Sequence, residues 1–391
     1  MKYFLFYKSK EIRLYFHSLL TFIIILAARL SVSLKKFNNR ILNFYLNLMT
    51  TPELYEAEYY EILDYDTQTV QCHLCPHECL LEPGDKGICL ARKNIAGVLY
   101  SLNYGFTEMK IDLIEKQNVY HFFPNSRAQT FATYNCNLDC SFCPVPERTH
   151  FDPEQKLNKR FSPDQAVMFA IASGSRVIIF GESEPLISYE WIRDTAKIAR
   201  ERGLKILLRT NGYFKEAPIR EILPYIDAVV INIKAASTEG YIKLCGGGNF
   251  DHVKKIVKLI HESGKLIELS FVIHEELGND DLAAKEIAYW VATELSVDVP
   301  LHLSRLKPAH RVMHMLPTNI TLLEKSYATV KEQGLYHVYL GDVPDHQTNH
   351  TYCPYCGEEL ITRTSVGTEI RRVSLQGRCN KCQENLNIIM S

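Results

Sequence analysis

The chain has no apolar run long enough to cross a bilayer. Its candidate, residues 14–28, is interrupted by His17, Ser18 and Thr21 and falls short of the ~20 residues a span needs. An excess of charge of one sign is also missing. Lys and Arg number 44 against 45 Asp and Glu, a formal net charge of −1, so bulk electrostatics selects neither nucleic acid nor an anionic surface as partner. No internal repeat or low-complexity tract is present, which excludes a solenoid. What remains is an ordinary globular composition, 46% hydrophobic and 23% charged over 391 residues, enough for about two to three domains.

Cysteine is abundant instead: there are 12. A secreted disulfide scaffold could use them, but a chain this long can build a core without one. All but Cys245 fall in three groups made of close pairs or triples, which suits metal ligation better than long-range stapling and implies a reducing, cytoplasmic setting. Residues 1–48 differ from the rest. Lys2, Lys8, Lys10 and Arg13 precede the apolar run and Arg29 follows it. A membrane anchor, a cleaved signal and a start codon placed upstream of Met49 compete as explanations. Membrane contact is expected only through this leader, if it is retained. The expected boundaries are 1–48 for the leader, 49–126 for a Cys-rich module, 127–345 for the main body and 346–391 for a second small module.

In the main body, short apolar runs alternate with segments of helical period. The runs are 129–134, 176–180, 206–210, 228–233, 266–272, 301–304 and 337–340; the helices are expected at 163–172, 189–202, 253–263, 280–295 and 322–333. That rhythm predicts an α/β fold with a parallel sheet, a partial or near-complete (β/α) barrel.

Residues 133–144 read TYNCNLDCSFCP and follow the first run directly. Cys136, Cys140 and Cys143 are spaced C-x3-C-x2-C. A cubane cluster usually takes four thiolates, one on each iron, so three on one loop leave one iron open. An open position is what a metal needs to bind a cofactor or substrate, and loops after parallel strands are where barrels place their active sites. A zinc knuckle is the alternative reading. Further along, Glu184 in FGESEPL is a carboxylate suited to an ammonium group, Thr210, Asn211 and Gly212 end the third strand, and Asn232 and Lys234 share a face of the fourth. Glu268, Ser270, Val272 and His274 share a face of the fifth, and His302, Ser304 and Arg305 lie on or at the end of the sixth, near the expected substrate. Cys245, in Leu-Cys-Gly-Gly, reads as an inert buried thiol beside a turn.

Two further thiol sets flank the body. Cys72, Cys75, Cys79 and Cys89 (C-x2-C-x3-C-x9-C) suit either zinc or a second iron–sulfur cluster. Cys353, Cys356, Cys379 and Cys382 form two C-x2-C knuckles in the manner of a zinc ribbon, a structural zinc site.

The C-x3-C-x2-C loop resembles the signature of the radical S-adenosylmethionine (SAM) superfamily. From Cys72 onward the chain is similar to one subgroup, the AmmeMemoRadiSam-system radical SAM enzymes, related to pyruvate formate-lyase activating enzymes. The likeness is carried by CHLCPHECLLEPGDKGICLAR from Cys72, LCGG at Leu244, HLSRLKP from His302, GDVPDH from Gly341 and TYCPYCGEELI from Thr351. It implies a [4Fe-4S] cluster on Cys136, Cys140 and Cys143 whose open iron binds SAM, reductive cleavage to a 5′-deoxyadenosyl radical, and hydrogen abstraction from a substrate it does not identify. By the same resemblance Phe142 packs near the adenine, and Ser183 and Glu184 hold the methionyl amine. Thr210, Asn211, Asn232, Lys234, Ser270 and Val272 complete the SAM contacts, although Ser183 stands where the family has Gly or Asn and Asn232 where it often has Asp. An electron donor such as flavodoxin or ferredoxin is implied, with AMMECR-type and Memo-type proteins as partners and activation of a partner protein as one outcome. The competing function is a non-catalytic interaction protein with zinc at all three thiol sets.

Overall fold

A computed structural model describes residues 54–154 and 160–391. The leader, and with it the question of its origin, lies outside them. Among the described residues no helix is long and apolar enough to cross a membrane.

The first 50 of these residues build two small antiparallel sheets. One has the order β2 (Tyr60–Asp64), β3 (Thr69–Cys72), β4 (Leu80–Leu81); the other has β1 (Tyr55–Glu56), β6 (Val98–Ser101), β5 (Arg92–Ile95). Sheets this small bury little, and a buried ion pair ties them to the main body. Arg92 and Glu190 are 1% and 0% exposed with N and O 2.5 Å apart, and Glu190 also accepts from the Glu58 amide at 2.8 Å.

The main sheet has eight strands in sequence order: β7 (Thr107–Leu113), β8 (Arg127–Thr133), β9 (Val177–Gly181), β10 (Lys205–Thr210), β11 (Ala228–Ile233), β12 (Leu266–Ile273), β13 (Leu301–Arg305) and β14 (Val338–Gly341). From β8 to β14 every pairing is parallel, and β7 joins antiparallel at the β8 edge. β14 and β7 do not pair among the described residues, so the barrel is partial. The parallel strands are apolar runs covered on both faces: Val177, Ile178, Ile179 and Phe180 in β9 are all buried. The sheet takes its outer strand from the segment expected to belong to the N-terminal module. β7 reads TEMKIDL, and most of its side chains are exposed, so it carries no continuous apolar signal.

The helices α1 (Pro163–Ala172), α2 (Tyr189–Glu201), α3 (Glu216–Ile222), α4 (Thr238–Cys245), α5 (Phe250–Glu262), α6 (Asp281–Glu294) and α7 (Ile320–Lys331) follow the strands. Their starts are written locally. Ser162 and Gln165 form a reciprocal capping box ahead of α1, with Pro163 at its first position. Asn249 and Asp280 cap α5 and α6 through their side-chain oxygens.

The last residues form a three-stranded sheet, β15 (Thr351–Tyr352), β16 (Glu359–Arg363), β17 (Thr368–Ile370). It docks under the barrel. Arg363 donates to the Tyr120 carbonyl at 2.7 Å and lies 4.1 Å over the Tyr120 ring, while the Ile389 backbone pairs with His121 and Phe123.

Candidate functional site

The loop after β8 leaves the sheet through Asn135, whose backbone is left-handed (φ 75°). It is then held by the end of a neighbouring helix. The last carbonyls of a helix have no partner within it, and two at the end of α4 accept from the loop: Leu244 from the Ser141 amide at 2.7 Å and Cys245 from the Asp139 amide at 2.8 Å. Gly246 (φ 64°) turns the chain out of α4 beside Asp139, and at Gly248 (φ 105°) a Cβ would meet the Tyr241 ring at 2.8 Å. The LCGG signal thus marks a helix end as well as a turn.

Cys136, Cys140 and Cys143 all face one cavity of about 400 Å³ at the C-terminal ends of the parallel strands. Their sulfurs are not gathered as around a single ion, since among the described residues they form no set of three within 4.8 Å. Burial pushes the Cys136 thiol well up. Cys140 lies 3.2 Å from the Cys245 sulfur, and sharing that proton holds Cys140 below the ordinary thiol range and pushes Cys245 up. Cys245 is thus the immediate thiol neighbour of Cys140. It was legible only as a lone buried thiol, and its value lies in the contact with Cys140.

Phe142, Ser183, Glu184, Asn211, Asn232, Lys234, Ser270 and Val272 all line the same cavity. Thr210 does not. It is fully buried behind the wall and donates its hydroxyl to Glu184 at 2.9 Å. Glu184, 1% exposed, also accepts from the Asn211 amide at 2.7 Å and the Leu186 amide at 3.2 Å. Burial raises its carboxyl to about 7, against those hydrogen bonds and Lys234, which pull it down. Three of a carboxylate's roughly four acceptor sites are thus in use, and one is left for a ligand. Asn211 hands the order on to the loop, donating to the Asn137 side chain at 2.8 Å. Ser183 is fastened to the end of β8, donating to the Thr133 carbonyl at 2.7 Å.

The fifth and sixth strands divide their polar residues between two levels. Ser270, Val272, Ser304 and Arg305 reach the cavity; Glu268, His274 and His302 do not. Glu268 accepts from the Tyr120 and His121 amides and meets His302 at 2.7 Å, fully buried, above the docked C-terminal sheet. A backbone and a histidine needed that carboxylate, so these two positions brace the fold. His274 meets the Leu316 carbonyl at 3.0 Å.

The cavity also contains cations that the sequence reading passed over: Lys110, Lys116, Arg209 and Lys307. Two-residue alternation in β10 sets Arg209 apart from the core-facing Ile206 and Leu208, a signal that was available. Burial holds its guanidinium below the ordinary range, and its partners are neutral, Gln117 at 3.2 Å and Asn232 at 3.4 Å. The Lys234 ammonium lines the cavity and acts on Glu184 through space, and no ion pair joins it to a carboxylate among the described residues. Of the acids present, Glu182 is paired with Arg148 at 3.1 Å and Asp342 with Lys307. At the rim Asp139 faces His150 and His310, but Arg311 already meets its charge at 2.7 Å.

The two flanking sets differ. In the C-terminal set Cys353 and Cys382 are 3.6 Å apart, Cys356 and Cys379 are 3.8 Å apart, and all four sulfurs lie within 4.8 Å of one another, so the set can hold one metal ion. The N-terminal four are partly or fully buried and close to one another but more widely spread.

Three thiols, a carboxyl group and an ammonium thus share one cavity at the C-terminal mouth of a parallel βα sheet, the place where such sheets put an active site. The sequence profile of the Radical SAM superfamily matches residues 131–283, from β8 to the start of α6. An uncharacterized protein of Methanocaldococcus jannaschii, MJ0808, is 35% identical over 339 residues, covering 86% of this chain and 99% of that one. The pyruvate formate-lyase-activating enzyme of Clostridium pasteurianum is 30% identical over 135 residues, 32% of this chain and 54% of that enzyme, so this chain spans about half of it. The solved structure of Streptococcus suis SuiB bound to S-adenosylmethionine aligns with a TM-score of 0.44 at 14% identity, over 58% of this chain and 52% of that one, a likeness too slight to carry weight beside the sequence match. The chain belongs to the radical SAM superfamily and is an enzyme of that type. Membership brings a [4Fe-4S] cluster and SAM, and the residues present fit both: three thiols open on one cavity, spread beyond the reach of a single ion, beside an unpaired ammonium.

Proposed function

We propose that Cys136, Cys140 and Cys143 hold the cluster, that SAM lies across the strand ends, and that a substrate enters the same cavity to lose a hydrogen atom. When bound, the cluster and SAM together supply the 5′-deoxyadenosyl radical. The chain's own residues bind and aim. Lys234 meets the methionyl carboxylate, the spare acceptor site of Glu184 takes the ammonium, and Ser183 holds the adjoining backbone in place. Phe142 packs at the adenine, Asn211 and Asn232 meet the remaining polar atoms, and Ser270 and Val272 form the far wall. Thr210 is a positioning residue acting through Glu184. The observation that carries this reading is that three cysteines of one loop and eight of the nine other expected contact residues share a single cavity.

The substrate reading is that of an anion. One SAM carboxylate needs one cation, and the cavity has Lys116, Arg209 and Arg305 beyond Lys234, none in an ion pair with a carboxylate among the described residues. A carboxylate- or phosphate-bearing molecule would meet them. Activation of a partner protein, by a glycyl radical as in activating-enzyme relatives, is the second reading, favoured by the likeness to a pyruvate formate-lyase-activating enzyme. AMMECR-type and Memo-type proteins are the partners to screen. A flavodoxin or ferredoxin would supply the electron, and zinc would occupy the C-terminal thiols.

Anaerobic incubation with SAM and a strong reductant should yield 5′-deoxyadenosine, and Cys140→Ala should abolish it. A variant that forms the product at the parent rate would remove this loop from the mechanism.

A further inference from the structure

The N-terminal thiols form a nest with a built lining. Cys72 and Cys79 sit in the β3–β4 hairpin, where the Cys72 amide donates to the Cys79 carbonyl at 3.0 Å. Gly87 passes so close that a Cβ there would lie 3.7 Å from both the Cys79 and the Cys89 sulfur. Arg92, 1% exposed, adjoins Cys72 and Cys89, and its Nε hydrogen has no partner. A buried guanidinium N–H left unmatched is costly, and an anionic sulfur group in the nest would match it.

Sulfur spacing separates the candidates. Zinc holds thiolates at about 2.3 Å, which sets tetrahedral edges at about 3.8 Å. The C-terminal set has that spacing, 3.6 and 3.8 Å. The N-terminal set has no three sulfurs within 4.8 Å, and in this it matches Cys136, Cys140 and Cys143. A cubane spaces its thiolates on the corners of an iron–sulfur cube, further apart than one ion can.

The nest also touches the catalytic loop. His77, between Cys75 and Cys79, meets the Asn137 carbonyl at 2.7 Å, and Asn137 is the neighbour of Cys136. Tyr213 stands edge-on to the His77 ring at 5.3 Å and accepts from the Asn137 side chain at 2.7 Å through its carbonyl. On the other side, Leu80 and Ile88, next in the chain to Cys79 and Cys89, are 62% and 59% exposed, so the nest lies just below the surface.

We infer that Cys72, Cys75, Cys79 and Cys89 hold a second [4Fe-4S] cluster, and that it passes electrons to the SAM-site cluster across the His77–Asn137 contact. This rests on the reading of the 136–143 loop given above. One electron leaves a flavodoxin- or ferredoxin-class donor, which is oxidised. It resides on the N-terminal cluster and then reduces the cluster at Cys136, Cys140 and Cys143; no bond forms or breaks and no proton moves.

Metal and sulfide analysis of the full chain, reconstituted without oxygen, tests the first half. Two cubanes give about eight irons per chain, with one zinc at the tail. Replacing Cys136, Cys140 and Cys143 together by Ala should leave about four irons and the electron paramagnetic resonance signal of a reduced cubane. In the otherwise unchanged chain, Cys75→Ser with Cys89→Ser should lower the content to about four irons, those of the SAM-site cluster. A triple variant free of iron, or a parent with about four irons and two zincs, overturns the second cluster. If only the SAM reading fails, iron in the parent is lost with Cys75 and Cys89 and is indifferent to the triple change. For the relay, freeze-quenched spectra after mixing with reduced flavodoxin should show His77→Phe losing the fast phase of SAM-site reduction while keeping both iron complements. A fast phase that persists in this variant overturns the route.

Discussion

The two small modules at the ends of the described chain each carry four cysteines, yet they solve different problems. The C-terminal four draw together to the spacing of one ion at the foot of the barrel, beneath Tyr120 and His121. The N-terminal four stand apart and abut the 136–143 loop. The number of cysteines is the same in both and does not separate them; the spacing of the sulfurs and the contacts of the residues between them do.

The largest effect that would sharpen the contrast is loss of the tail's ion. A module too small for its own core draws folding energy from its metal. Cys379→Ser should therefore leave the C-terminal residues open to limited proteolysis while the iron content of the rest is unchanged; a protease-resistant tail would break the contrast. The N-terminal module should depend on its ion pair instead. Glu190→Ala leaves the buried Arg92 guanidinium uncompensated and should cost about 3–5 kcal/mol in denaturant unfolding, and a cost below 1 kcal/mol would show that the pair is not what fastens the module.

A smaller effect concerns pH at the tail's docking face. Burial lowers His337 to about 3 and holds His121 well below its ordinary value. The folded state refuses protons that the unfolded state takes up below about 6.5, so this stability is present above that pH and is lost as pH falls toward about 3. Unfolding followed between pH 7 and pH 4 should show His337→Phe less acid-sensitive than the parent; parallel curves would clear this histidine. The smallest effect falls on the catalytic loop. Hydrogen bonds to a cluster's sulfurs help set its potential, so Cys245→Ala should retain the SAM-site iron and lower its midpoint in a redox titration. An unchanged midpoint would reduce Cys245 to packing.

Much of the fold was legible because the signals were local. The 163–172 helix was bounded correctly since Ser162, Pro163 and Gln165 mark its start, and the 228–233 strand since its apolar run ends where polar residues begin. Three elements of the main body were not. β7 is amphipathic and lies at an edge, α3 is short and contains Pro218, and α4 ends in the glycines that drew attention to the turn. At the site, residue types announced themselves when chemistry alone explained them, as with the three cysteines. Glu268 and His302 looked functional for the reason that polar residues in a barrel strand usually do; they pair with each other, and the further partners of Glu268, the Tyr120 and His121 amides, are nearly 150 residues away in sequence. No spacing rule reaches that far.

The fastening of the 136–143 loop to the end of α4 has a consequence for assembly. The Asp139 and Ser141 amides find their carbonyl partners within the protein, at Cys245 and Leu244. The path of the loop is set by backbone bonds to a neighbouring helix and owes nothing to its thiol groups, so a chain with Cys136, Cys140 and Cys143 all replaced by Ala should keep the secondary structure of its barrel, as circular dichroism would show.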